Sequence, residues 1–89
     1  MIRKTITIVN KLGLHARAAS VFAKTANAFE AKIEVTSSKR HADGKSIMAV
    51  MMLEASHGID LSITIDGPDE TDAMNALVEL IKDRFGESE

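Results

Sequence analysis

Three stretches of the chain alternate apolar and polar residues with period two, the pattern of strands covered on one face. Ile2, Ile6 and Ile8 share one side of the first, with Arg3, Thr5 and Thr7 on the other. Ile33 and Val35 alternate with Lys32, Glu34 and Thr36 in the second. Ile59, Leu61, Ile63 and Ile65 alternate with Asp60, Ser62, Thr64 and Asp66 in the third, the clearest of the set. Residues 39–42, after the Ser37-Ser38 turn, predict a short edge strand. Elsewhere the period lengthens. Ala19, Phe22, Ala23 and Ala26 fall at helical spacing and predict a helix over about residues 16–27. A second helix opens after Pro68 with Asp69, Glu70 and Asp72 in its first turn, and closes with Lys82 and Arg84 before Gly86. Those charges complement the helix dipole at both ends. Met74, Leu77, Val78, Ile81 and Phe85 give this helix one apolar stripe. A short helix over residues 47–53 is predicted with Ser46 as its N-cap.

The order is thus β-α-β-β-α-β-α. Strands with polar outer faces suit an antiparallel sheet covered on one side only, hence a two-layer α/β sandwich. Element order alone leaves a ferredoxin-like arrangement open as well.

The chain has 89 residues, which predicts one domain over residues 1–89. Hydrophobic residues make up 45% but aromatics only 3%, so the core is expected to be aliphatic. The absence of Tyr and Trp also removes the stacking platforms on which single-strand recognition depends. A net charge of -2 argues in the same direction, against nucleic acid or an anionic membrane as partner. With no cysteine, disulfides and thiolate chemistry are excluded. The alternating first eight residues do not read as a signal peptide, and no apolar run has membrane-spanning length. A cytoplasmic location and no membrane insertion are expected.

Candidate chemistry concentrates in Gly13-Leu14-His15-Ala16-Arg17. The strand pattern breaks at Asn10, Lys11 and Gly13, so His15 falls at the start of the first helix, beside backbone N–H groups that lack helical partners. Such an end favours a bound anion, and the planar guanidinium of Arg17 suits phosphate oxygens. A nucleophile, an anion cradle and a cationic clamp therefore occupy three consecutive residues. Gly44-Lys45-Ser46 resembles the tail of a nucleotide-binding P-loop, but Lys39 stands where that motif needs its first glycine. The nucleotide reading fails. The short helix after Ser46 is apolar nearly all round and holds Met48, Met51 and Met52, a residue type over-used on adaptable binding surfaces. Val50 and Leu53 are expected to pack inward. His41 and His57 lack a second ligand at metal-site spacing and read as surface residues; no metal and no cofactor is expected.

Taken together, the chain length, the element order, Gly13-Leu14-His15-Ala16-Arg17 and Gly44-Lys45-Ser46-Ile47-Met48 resemble HPr, the histidine-containing phosphocarrier family of the bacterial phosphoenolpyruvate-dependent phosphotransferase system. The resemblance covers essentially the whole chain. It implies an open-faced sandwich, with a four-stranded antiparallel sheet and three helices on one face. It also implies that His15 carries a phosphoryl group on Nδ1 with the help of Arg17, and that Ser46 is a regulatory phosphorylation site in many members. The implied partners of this monomeric carrier are Enzyme I as donor, EIIA-type proteins as acceptors and HPr kinase/phosphorylase at Ser46. The backbone N–H of Ala16 is expected to help hold the phosphoryl group. Docking is expected on a rim formed by Ala16, Ser20 and Lys24 with Ile47, Met48 and Met51, ringed by Arg17, Lys24 and Lys45.

Ala18 departs from the family pattern, replacing the proline that many sugar-transport members carry after the arginine. Proline suits a first helical turn because its missing N–H would be unpaired there. Ala18 restores that donor, and the His-Ala-Arg-Ala-Ala form resembles the nitrogen-related branch and the single HPr of bacteria that lack full sugar transport. A protein acting only through Ser46 and protein binding is the rival reading, which the presence of His15 disfavours.

Overall fold

The computed structural model describes residues 1–89. The elements run β1 (Ile2–Thr7), α1 (Ala16–Ala26), β2 (Lys32–Ser37), β3 (Arg40–Asp43), α2 (Ile47–Met51), β4 (Asp60–Asp66) and α3 (Glu70–Lys82), with a closing 3₁₀ turn at Arg84–Gly86. The expected β-α-β-β-α-β-α order is present, and the weak edge strand exists as β3. All strand pairs are antiparallel, in the order β1-β4-β2-β3. This order settles the topology that the alternation left open, because it puts β1 at an edge beside the last strand.

Register explains the two faces. Ile33 pairs with Ile65 and Val35 with Ile63, and these four side chains turn inward under the helices. Between them Thr5, Ser62, Thr36 and His41 form one polar row across the uncovered face. The core is a single cluster of 22 buried residues, aliphatic except for Phe22 on α1 and Phe85 after α3. Ala19, Phe22, Ala23 and Ala26 are all fully buried, as their spacing predicts. So are Leu77 and Ile81 of the α3 stripe.

Helix ends differ from expectation in informative ways. The short helix stops at Met51, two residues before the predicted Leu53, although Leu53 is buried as expected. Asp69 is not in the first turn of α3 but at its N-cap position, and its carboxylate points elsewhere, accepting the backbone N–H groups of Glu30 and Ala31 at 2.8 and 2.9 Å. It thereby ties the α1–β2 loop to the start of α3. At the other end α3 stops at Lys82, so Arg84 is not its last-turn charge. The chain turns instead through left-handed backbone at Arg84, Phe85 and Gly86, with φ of 56, 55 and 80°. Left-handed backbone costs a non-glycine residue about 1–2 kcal/mol. Burial of the Phe85 ring, worth about 2–3 kcal/mol, offsets that cost and aims the C-terminal residues back toward the start of α1.

Candidate functional site

The site is built by the loop between β1 and α1. Asn10 is fully buried, and its Nδ2 donates to the carbonyl of Gly13 at 2.8 Å, closing the loop on itself. Gly13 takes φ +65°, a conformation glycine adopts freely. Leu14 is buried and its N–H donates to the carbonyl of Ala55 at 2.8 Å, anchoring the loop to the segment after α2. The next residue, His15, is extended (φ −71°, ψ 177°) and is the N-cap of α1. Its carbonyl accepts the first helical bond, from Ala19 at 2.8 Å, while its side chain caps nothing. The backbone N–H groups of Ala16, Arg17 and Ala18 consequently have no acceptor within the protein. They form the anion-favouring end that the sequence predicts, with the extra donor of Ala18 included. The imidazole beside them is 29% exposed, open to solvent on one side.

A residue that sequence reasoning missed completes the site. Glu87 lies directly after the left-handed turn, and its Oε2 stands 2.6 Å from His15 Nε2. The same Oε2 accepts from Arg17 Nη1 at 3.0 Å, and Oε1 accepts from Asn10 Nδ2 at 3.0 Å. Arg17 therefore does not fold over the first-turn N–H groups. It bridges to the C-terminal segment, donating also to the carbonyl of Phe85 at 3.1 Å. Burial raises the pKa of the Glu87 carboxyl, but the bonds from Asn10, His15 and Arg17 outweigh it and hold the group below its ordinary value. It is thus ionised and only accepts, so the hydrogen of the short contact belongs to His15 Nε2. In the neutral form of the ring, the lone pair is then on Nδ1. Only Gly86 hinted at this arrangement in the sequence, since Glu87 is separated from His15 by 72 positions.

The other predicted residues divide by place. Ala16 and Lys24 are exposed and Ser20 is partly so, one stripe along α1. Ile47 and Met48 are exposed on α2, and Met51 is half-buried; Met52, at 65% exposure, extends the apolar surface. Ser46 caps α2 as expected, its Oγ accepting from the N–H of Ala49 at 3.2 Å. Lys45, expected in the cationic ring about the apolar docking contacts, has its ammonium engaged within the protein. Its Nζ donates to the carbonyl of Phe29 at 2.7 Å, and its own carbonyl accepts from Asn27 Nδ2 at 2.9 Å. These partners lie at the C-cap of α1 and just past it, about 18 Å along the helix from His15. Ser46 shares that position. His57 is exposed, and His41 bonds to Thr36 Oγ1 at 3.0 Å with Glu34 at 3.9 Å. No group of three or more His, Asp or Glu side chains converges on a common point. No helix is long and apolar enough to cross a membrane.

Comparison with known proteins gives a consistent result. The family model described as the PTS HPr component phosphorylation site matches residues 2–83. Phosphocarrier protein HPr of Neisseria meningitidis serogroup A is 47% identical over 89 residues, the whole of both chains. Its counterpart from Pseudomonas aeruginosa is 52% identical over 85 residues, 94% of each chain. Among solved structures, an HPr from Thermoanaerobacter tengcongensis superposes with a TM-score of 0.95 at 43% identity, covering all of both chains. With a matching family model, full-length relatives and a shared architecture, the chain belongs to the HPr family of phosphocarrier proteins of the phosphotransferase system.

Proposed function

We propose that residues 1–89 act as a single, monomeric cytoplasmic carrier domain that takes a phosphoryl group from phospho-Enzyme I onto Nδ1 of His15. It then passes the group to a histidine of an EIIA-type acceptor. One observation carries the reading: a part-exposed imidazole stands at the N-terminus of α1 beside three N–H groups with no protein acceptor. The donor's N–P bond breaks as the Nδ1–P bond forms. The transition state is loose, so the protein's task is to position the ring and to stabilise charge on the equatorial oxygens. The N–H groups of Ala16, Arg17 and Ala18 are donors for those oxygens, joined by the Arg17 guanidinium once it turns from Glu87. A shallow site of this kind releases the group as readily as it receives it.

Partners dock on the stripe of Ala16, Ser20 and Lys24 and on the apolar side chains of Ile47, Met48 and Met51. This surface is small, as a transient relay requires. Ser46 is a regulatory site for an HPr kinase/phosphorylase. Standing far along α1 from His15, a phosphate there acts on docking by acidic partners rather than on the imidazole. The alanine at 18 fits a nitrogen-related relay or the single HPr of a bacterium without full sugar transport.

The test is incubation with phosphoenolpyruvate and Enzyme I, followed by intact mass and acid treatment. The expected product is one acid-labile phosphate, absent from His15→Ala. A stable phosphate, or uptake by His15→Ala, would refute the assignment.

A further inference from the structure

Glu87 is the charged group closest to the reacting ring, and phosphoryl uptake by itself gives it no task. Its side chain is 16% exposed and receives three donors, from His15, Arg17 and Asn10. Asn10 lies in the loop before α1, and Arg17 is on the helix itself. The carboxylate thus fastens both sides of the loop that presents His15. Two left-handed non-glycine residues and a buried Phe85 are spent on bringing it there.

We propose that Glu87 is a positioning residue of the phosphoryl site, holding the hydrogen on Nε2 of His15 before and after transfer. The inference rests on the carrier reading and extends it. In the free protein the Nε2–H···Oε2 bond leaves the lone pair on Nδ1, facing away from the carboxylate. When Nδ1 attacks, the Nδ1–P bond forms and the electron pair of the breaking N–P bond returns to the donor's ring nitrogen. No proton moves at His15. A ring with phosphorus on one nitrogen and hydrogen on the other is cationic, and Glu87 is the counter-charge at 2.6 Å that keeps that hydrogen in place.

The consequence concerns departure. A cationic phosphoimidazole leaves as neutral imidazole, with the N–P pair returning to Nδ1. One that has lost its Nε2 hydrogen leaves as imidazolate, a much poorer leaving group. Glu87 therefore keeps the phosphoryl group transferable. Arg17 supplies the complementary motion: its Nη1 bond to Glu87 Oε2 is exchanged for a phosphoryl oxygen, so that Oε2 is left to the ring while Asn10 still holds Oε1.

Two variants separate orientation from charge. In Glu87→Gln the amide oxygen still accepts Nε2–H, whereas Glu87→Ala removes acceptor and charge together. The ring is read by nitrogen NMR of the free and phosphorylated proteins, and departure by back-transfer to Enzyme I with pyruvate. The free wild-type and Glu87→Gln proteins are expected to hold the Nε2–H form, and Glu87→Ala a mixture of tautomers. Back-transfer is expected to slow about tenfold in both variants, with loss of the Nε2–H signal from the phosphorylated ring. Normal phosphoryl uptake with ring signals and back-transfer within twofold of wild type in both variants overturns this inference alone. A wild-type chain that takes up no phosphoryl group overturns the carrier reading and this inference with it.

Discussion

Gly13 and Ala55 approach so closely that a Cβ added to Gly13 would stand 2.5 Å from the Ala55 carbonyl oxygen. The same oxygen accepts the N–H of Leu14 at 2.8 Å, so the contact cannot open without releasing the anchor of His15. Gly13→Ala adds both this clash and a left-handed alanine. We expect a loss of more than about 1 kcal/mol in urea unfolding, together with slower phosphoryl uptake because His15 loses its presentation. A variant as stable and as quickly phosphorylated as wild type would show that the loop is not held in this way.

Much of this arrangement is legible in the sequence, and the reason is locality. Alternation in β4 and the Ala19–Phe22–Ala23–Ala26 stripe arise from one neighbouring surface each, and His15 is marked by the break at Gly13 and the helix after it. Glu87 is different. Its placement depends on a buried aromatic holding two non-glycine residues in left-handed backbone, a tertiary override of local preference that leaves no pattern in the chain. The hold of Lys45 on the Phe29 carbonyl is likewise a tertiary contact that no local pattern marks. Asp69 looks like an ordinary first-turn charge until the loop at Glu30 and Ala31 supplies its donors.

Asp69 makes the fold sensitive to acid. The backbone N–H of Glu30, then that of Ala31, hold its carboxyl below the ordinary value of 3.8 against the opposing effect of burial. With the folded pKa below the unfolded one, its contribution is complete above pH 3.8 and is lost as pH falls through the lower folded value. Glu87, also depressed, behaves alike below its ordinary 4.5. Asp69→Asn should therefore be less stable than wild type at neutral pH, with the gap narrowing in acid. A difference in melting temperature independent of pH would contradict the role of the ionised carboxylate.

Ser46 separates capping from regulation. Its Oγ accepts the N–H of Ala49, so Ser46→Ala is expected to lose about 1 kcal/mol in chemical denaturation. Ser46→Asp retains a capping oxygen and adds a negative charge at the start of α2 beside the docking surface. It should keep the fold and slow transfer from Enzyme I several-fold through a raised KM. Transfer kinetics equal to wild type in Ser46→Asp would remove the electrostatic account of regulation.

Met48 tests the docking surface without touching the core. At 63% exposure it contributes little to packing, so Met48→Glu should change stability by less than about 0.5 kcal/mol. A carboxylate in an apolar patch that is proposed to meet acidic partners would add both desolvation and repulsion. The KM for Enzyme I is expected to rise about tenfold at low salt, while transfer at saturation stays near wild type. An unchanged KM would place the docking surface elsewhere.

Arg17 is the sharpest separation of stability from function. Its side chain is 55% exposed and its ion pair with Glu87 faces solvent, so the pair contributes at most about 1 kcal/mol. Removing it should barely move the unfolding midpoint. In the proposed transfer, however, the guanidinium turned from Glu87 is the charged donor that joins the first-turn N–H groups where charge on the phosphoryl oxygens develops. Loss of one such donor typically slows a reaction about 10²-fold, which is the expected effect of Arg17→Ala on single-turnover phosphorylation of His15. Arg17→Lys keeps the charge but loses the planar fork that can hold one oxygen while leaving another, so an intermediate rate is expected. If Arg17→Ala took up phosphate within threefold of wild type, the backbone donors of Ala16, Arg17 and Ala18 alone would suffice. The bridge to Phe85 and Glu87 would then be the whole role of the side chain.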